Sequence, residues 1–279
     1  MIVTQFHDKN FDFNQPSKVI LNVMFGKSGY IYAIFDQNAK KHFCLTECKS
    51  DNDSTGIDCF KSDILTQSWL KLPFELVNII IDTPNFVIEP EKIADSSNES
   101  MQTCINTIIG SSKKIFSKKL KTIDANIKFV VEENLLNTCS ELFKNVEFYH
   151  IGHLLTAENI ALSKFSNAEY LYNLYFVDNS FYISITLGGK LILLNKFIIN
   201  NELDVVYYLS MLLSQYPLEN SKKITISGSI SPNDKYSSVL SKYSTLKYSK
   251  FSLDHLYAFS IDKIEEHKYS LIINHPQCE

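Results

Sequence analysis

Val19-Ile20-Leu21-Asn22-Val23-Met24-Phe25-Gly26-Lys27-Ser28-Gly29-Tyr30-Ile31-Tyr32-Ala33-Ile34-Phe35 is the stretch of this 279-residue chain that decides its fold. Two runs rich in branched and aromatic residues flank a Gly-Lys-Ser-Gly turn, which predicts a β-hairpin. Lys41 to Leu45 predicts a third strand after Asp36-Gln37-Asn38. A polar loop leads to Thr55, where Asp58 completes an approximate capping box, and Ile57, Phe60, Ile64, Leu65 and Leu72 follow near-helical spacing until Pro73. Val77 to Asp82 is a short buried-type strand, so the local order is three strands, a helix and a strand.

The same order returns after residue 167. Tyr170 to Val177 and Phe181 to Leu187 read as strands joined by Asp178-Asn179-Ser180, with Phe181, Ile183, Ile185 and Leu187 alternating with Tyr182, Ser184 and Thr186. Gly188-Gly189 turns into Leu191 to Ile199. Asn201 to Tyr216 reads as a helix apolar around much of its surface, hence largely buried, and Pro217 ends it. Ile224 to Ser227 is the following strand and Tyr236 to Tyr243 a further helix. The first half carries an extra segment at about 86–126: a short extended piece at Phe86 to Glu89, a mostly helical stretch from Glu91 to Ile109, and two strands within Ile115 to Val131. Glu132 to Lys144 and Leu154 to Phe165 read as helices around a strand at Val146 to His150. The expected division is two α/β lobes, 1–166 and 167–279.

Composition narrows the chemistry. All 27 basic residues are lysine, so bidentate arginine forks on phosphate or guanine are excluded. Glycine occurs only 8 times, about 3% against a usual share near 7%, and few glycine-rich phosphate loops fit that supply. The net charge of −4 argues against general attraction to nucleic acid or acidic membranes. Met1 to Asn10 has no apolar signal core and no run reaches the length of a membrane span, so a cytoplasmic location is expected. Six cysteines in such a chain read as reduced thiols.

The doubled strand order resembles the duplicated ribonuclease H-like halves of the actin-like ATPase superfamily. Phe86-Val87-Ile88-Glu89-Pro90-Glu91, Gly189 to Phe197 followed by Glu202 to Leu213, and Ile224-Thr225-Ile226-Ser227-Gly228-Ser229-Ile230 resemble segments of an uncharacterised bacterial family of unknown function that adopts this fold. The resemblance spans almost the entire chain and implies a two-lobed actin-like architecture. It also implies where ATP and Mg would bind: Gly26, Lys27 and Ser28 in one hairpin, Asp178, Asn179 and Ser180 in the other, and Gly228 with Ser229 facing the nucleoside. Active members of the superfamily place both an aspartate and a glycine in each hairpin turn. Here the first turn has glycine without aspartate, the second has aspartate without glycine, and Ser229 stands where a second glycine is required. The expectation is a non-catalytic scaffold with a degenerate nucleotide site that works through an unknown protein partner. The alternative is an ATP-binding or ATP-hydrolysing protein.

Other constellations are weaker. Gly26-Lys27-Ser28 imitates the end of a Walker A loop, but position 21 is leucine where that loop needs glycine. His42, Cys44, Cys48 and Cys59 read either as zinc ligands without finger spacing or as buried thiols. His150 and His153 read as cap or packing residues. Asp82 and Asp178 read either as strand-end caps or as an acid–base or metal-binding pair. Ser227-Gly228-Ser229 lacks a nucleophile elbow. Lys113, Lys114, Lys118, Lys119 and Lys121, interleaved with Ile115, Phe116 and Leu120, read as a nucleic-acid groove in a second alternative, or as an edge strand defended by lysine. Dense tyrosines at 170–182 and 236–257 are core or a protein-binding face.

Overall fold

The structure is a computed structural model and describes residues 2–13, 18–27, 29–50, 55–91, 107, 114–120, 123–164, 169–218 and 223–275. The helix expected from Glu91 to Ile109 lies almost wholly outside them. Contacts divide the chain into two units: Met1–Ile151 with Ser252–Ile264, and Gly152–Phe251 with Glu265–Glu279. The first break lies earlier than the sequence pattern suggests. Helix Ile151–Ser163 spends its polar face on the second unit's sheet, where Asn159 Nδ2 donates to the Ser184 carbonyl at 2.8 Å and the Leu171 carbonyl at 3.2 Å.

In the first unit, strands β1 (Ile2–His7), β2 (Val19–Gly26), β3 (Gly29–Asp36), β4 (Lys41–Lys49), β5 (Leu76–Ile81) and β9 (Val146–His150) form a sheet in the order β1-β4-β3-β2-β5-β9. β2, β3 and β4 are successively antiparallel, whereas β5 and β9 run parallel to β2. Alternation puts Val19, Leu21, Val23 and Phe25 on one face with Val77, Ile79 and Ile81, all buried. Helix α1 (Gly56–Thr66) and helix α2 (Glu133–Leu142) place Phe60, Leu135 and Cys139 in the same core. The capping box that starts α1 forms as the sequence predicts: Asp58 N donates to Thr55 Oγ1 and Thr55 N to Asp58 Oδ2.

Helix α1 stops at Thr66 and does not run on to Leu72. Gln67 turns extended and its side-chain oxygen accepts from Tyr32 OH at 2.8 Å. Ser68–Lys71 then makes a short 3₁₀ turn that buries Trp69 and Leu70. Between β5 and α2, strands β6 (Phe86–Pro90), β7 (Lys114–Leu120) and β8 (Ala125–Val131) form a separate antiparallel sheet in the order β6-β8-β7.

In the second unit, β10 (Tyr170–Val177), β11 (Ser180–Leu187), β12 (Lys190–Ile198), β13 (Lys223–Gly228) and β14 (Thr245–Tyr248) take the order β12-β11-β10-β13-β14. The first three are antiparallel neighbours, and β13 and β14 run parallel to β10. This repeats the path β4-β3-β2-β5-β9 strand for strand. One face buries Tyr172, Leu174, Phe176, Phe181, Ile183 and Ile185 under helix α4 (Glu202–Gln215), which supplies Val205, Leu209 and Leu212. Helix α3 (Ile151–Ser163) covers the polar residues of the other face, and α5 (Lys235–Leu240) and α6 (Glu266–Ile273) complete the described helices. β15 (Leu256–Tyr257) returns to the first unit and pairs parallel with β4.

Candidate functional site

The hairpin of the first unit closes on the pair Gly26↔Gly29, with Lys27 exposed at the turn and Ser28 outside the described residues. Gly29 has φ +150°, and a Cβ there would stand 2.1 Å from the Cys48 carbonyl oxygen. A Cβ on Gly56, the first residue of α1, would stand 2.5 Å from the Gly29 oxygen. The start of α1 therefore packs directly onto the root of the hairpin, and both glycines are required by that approach.

The helix N-terminus beside this turn offers amides of the kind that hold phosphates. Here the cap residue's amide and that of the third helical residue are engaged within the chain. Thr55 takes the Asp58 amide, and the Asp58 carboxylate takes the Thr55 amide at 3.2 Å and the Thr55 hydroxyl at 2.7 Å. Those hydrogen bonds hold the Asp58 carboxyl below its ordinary value, so at neutral pH a negative charge sits at the helix end.

The second unit repeats the device. Asp178 at the turn has φ +47° and, like Asn179, is exposed. Ser180 Oγ donates to the Val177 carbonyl at 3.0 Å, and Ile199 N donates to the Asn179 carbonyl at 2.8 Å as the chain enters α4. Asn201 caps that helix by accepting from Leu203 N at 2.9 Å, while Asp204 Oδ2 accepts from Asn200 N at 2.7 Å and Asn201 N at 3.3 Å. A capping box ending in aspartate thus stands beside each hairpin.

Gly228, at the end of β13, has φ +86°, and a Cβ would lie 2.0 Å from the Phe176 carbonyl oxygen. Ser229 N donates to that oxygen at 2.8 Å. Packing between neighbouring strands is sufficient reason for this glycine. Asp234 caps α5 just beyond it, accepting from Ser231 N and Ser237 N.

The remaining sequence candidates fall elsewhere. A bulge in β4 opposes Ile34 to Cys44 but Phe35 to His42, which turns His42 to the face opposite Cys44. His42 Nε2 meets His255 Nδ1 at 3.0 Å, while Cys44 Sγ lies 3.4 Å from Thr46 Oγ1. Burial pushes the Cys44 thiol up to about 12 and raises that of Cys48. Among the described residues, no three His, Cys, Asp or Glu side chains come together as a metal site. His150 Nε2 lies 2.9 Å from the Thr83 carbonyl and its ring packs on Phe86; His153 is buried on α3. Asp82 ends the parallel run after β5.

Of the lysine cluster, Lys113 and Lys121 lie outside the described residues. β7 is an edge strand. Lys118 pairs with Glu147 and lies 4.2 Å from the Tyr149 ring centroid, and Lys119 pairs with Glu91 at 2.6 Å. Two of the three described lysines are therefore already neutralised by carboxylates.

One surface departs from the sequence reading. Helix α4 is not buried all round: Leu203, Tyr207 and Met211 are 69%, 66% and 38% exposed. Their four-residue spacing makes one stripe, opposite Val205, Leu209 and Leu212. The spacing is visible in the sequence, but an all-round apolar helix does not reveal which face its sheet takes.

Residues 8–245 match the family described as "Protein of unknown function (DUF3822)". The chain belongs to that family. Its fold is that of the actin-like ATPases. A Bacteroides thetaiotaomicron protein with actin-like ATPase fold and unknown function superposes with TM-score 0.71 at 17% identity, covering 90% of this chain and 96% of that one. The PilM–PilN type IV pilus biogenesis complex gives TM-score 0.66 at 8% identity, over 92% and 97% of the two chains. No curated protein matches the chain significantly by sequence. Among the described residues, no helix is long and apolar enough to cross a membrane.

Proposed function

We propose that this member of the family is a cytoplasmic, non-catalytic scaffold of actin-like fold that binds a protein partner through helix α4, with its nucleotide site degenerate. The observation that carries this reading is the stripe Leu203, Tyr207 and Met211, three large side chains left in water on a helix whose other face is well packed. A tyrosine between two aliphatic side chains supplies contact area with little rotamer entropy to lose, which suits a protein surface. The duplicated aspartate caps weigh against the ATP alternative. Asp58 and Asp204 put a carboxylate at the start of the helix that follows each hairpin, and a triphosphate approaching there would meet like charge. The similarity to a PilM–PilN complex adds that a chain of this fold can engage another protein.

Two measurements test the proposal. Titration calorimetry with Mg-ATP is expected to give no heat up to millimolar nucleotide, and micromolar binding would overturn the degenerate site. A photo-crosslinking residue at position 207, expressed in the native cell, is expected to trap a discrete protein adduct that the same probe at Leu65, also exposed, does not. Equal trapping at both positions, or none at 207, would overturn the assignment of α4.

A further inference from the structure

Segment Ser252–Ile264 is the one part of the chain's second half that contact places with the first unit. Its hold there is short. β15 pairs only Leu256 with Lys41 and Tyr257 with His42, and two amides, Leu256 N and Ala258 N, donate to the Lys40 and His42 carbonyls at 2.8 and 3.0 Å. Aromatic contacts add to it. His42 Nε2 meets His255 Nδ1 at 3.0 Å, the Tyr257 ring stacks on His42 at 5.3 Å with an 8° tilt, Phe35 packs on both imidazoles, and Phe259 lies 6.1 Å from Phe6.

His42 is fully buried, and its Nδ1 has no hydrogen-bond partner. A neutral imidazole carries one N–H. Were that proton on Nδ1, a buried donor would be orphaned; on Nε2 it is donated to His255 and only an acceptor lone pair is left bare, the cheaper arrangement. His255 Nδ1 must then be unprotonated. Adding a proton to His255 puts two donors face to face, unless His42 moves its own proton to the orphaned Nδ1. Adding one to His42 buries a charge. Each route costs the attached contact: two donors face to face, an orphaned buried Nδ1–H, or a buried charge.

The neighbours do little to change this. Asp254 raises and Lys40 lowers the basicity of His255. From β3, Asp36 Oδ1 is held by the Asn38 and Ala39 amides. From β4, Lys41 pairs with Asp8. Tyr257 faces His42 with its ring plane.

We propose that His42 and His255 form an acid-sensitive clasp: neutral, they fasten segment Ser252–Ile264 to β4, and protonation releases it. Burial and the neighbouring His255 pull His42 down to about 3, and burial lowers His255 as well. The sign follows. A histidine whose value is lower in the attached state than when released binds its proton preferentially on release, so attachment is complete well above the ordinary value of 6.5 and weakens as pH falls below it. From pH 7.5 to pH 5, His42 alone increases the released population about 30-fold.

Hydrogen exchange on the full chain tests this, with rates corrected for the intrinsic pH dependence of exchange. The Leu256 and Ala258 amides are expected to lose at least about 30-fold in protection between pH 7.5 and pH 5, while core amides of β10 and β13 hold theirs. In His42→Phe, which keeps a ring against Tyr257, the extra pH dependence is expected to shrink to the His255 share. Unchanged protection in the wild type, or the full 30-fold loss in His42→Phe, would overturn the clasp. If that variant does not fold, the histidine ring resonances of the wild-type protein decide: His42 still neutral at pH 5 is expected, and a His42 that titrates at or above 6.5 would overturn it.

Discussion

Gly228→Ala separates a packing role for this glycine from a ligand-binding one. The new Cβ would lie 2.0 Å from the Phe176 oxygen, 2.9 Å from its nitrogen and 3.0 Å from its carbonyl carbon, all backbone atoms of the neighbouring strand that cannot rotate away. Alanine at φ +86° costs about 1–2 kcal/mol for the left-handed backbone alone. Relieving the collision means parting β10 from β13 at the Phe176↔Gly228 pair and losing the Ser229 N to Phe176 O hydrogen bond, roughly 1 kcal/mol more, before any loss of packing. The expected total is about 4 kcal/mol. Gly188→Ala is the matched control, because Gly188 also has positive φ, +55°, but an added Cβ there meets nothing within 4 Å; only the backbone cost of about 1–2 kcal/mol applies. Native-state hydrogen exchange of the Leu174 and Ile226 amides reads the difference in the second unit itself, and an excess of about 2 kcal/mol is roughly 30-fold faster exchange. If the two variants are equally stable, packing does not require Gly228. The glycine would then point to a ligand approaching its Cα, and the ATP alternative would regain its best residue.

Two further substitutions probe buried polar groups. Tyr30→Phe removes the hydroxyl that donates to Asp63 Oδ2 at 2.6 Å; it is expected to destabilise the first unit by about 2 kcal/mol, since the acceptor is a carboxylate, and a urea midpoint within error of wild type would refute it. Glu158, on α3, accepts from Asn173 Nδ2 at 3.2 Å, and desolvation raises its carboxyl above the ordinary value. A carboxyl raised on folding binds its proton more tightly in the native state, so its ionisation destabilises the fold at neutral pH and the penalty fades as pH falls through the native value. Glu158→Gln is therefore expected to raise the melting temperature at pH 7.5 more than at pH 4.5, and the opposite order would refute the sign.

The parts of this fold that were legible in sequence are those written in local periodicity. Val19, Leu21, Val23 and Phe25 face one core because side chains alternate along a strand, and Thr55 with Asp58 marks a helix start whatever surrounds it. The parts that were not legible depend on pairing between distant segments. β1 carries only Ile2, Val3 and Phe6 as apolar residues and is fixed by lying against β4. β15 is two residues long and exists because His255 and Tyr257 find His42. The His42 and Cys44 pair illustrates a subtler failure: strict alternation puts both on one face, and a single bulged residue sends them to opposite ones.

The candidate site was legible as a list of residues and illegible as a chemistry. Gly26, Asp178 and Gly228 could be placed at strand ends from the sequence, but their neighbours decide what those ends do. Thr55-Gly56-Ile57-Asp58 and Asn201-Glu202-Leu203-Asp204 share almost no identity, yet each folds into a box whose third helical residue is an aspartate satisfying the cap from within. Asparagine or serine at those two places would leave a helix end with positive potential and no resident charge; aspartate supplies the anion covalently. The same internal carboxylate therefore satisfies the start of the helix in each unit, so what the two halves repeat is the capping device and not its sequence.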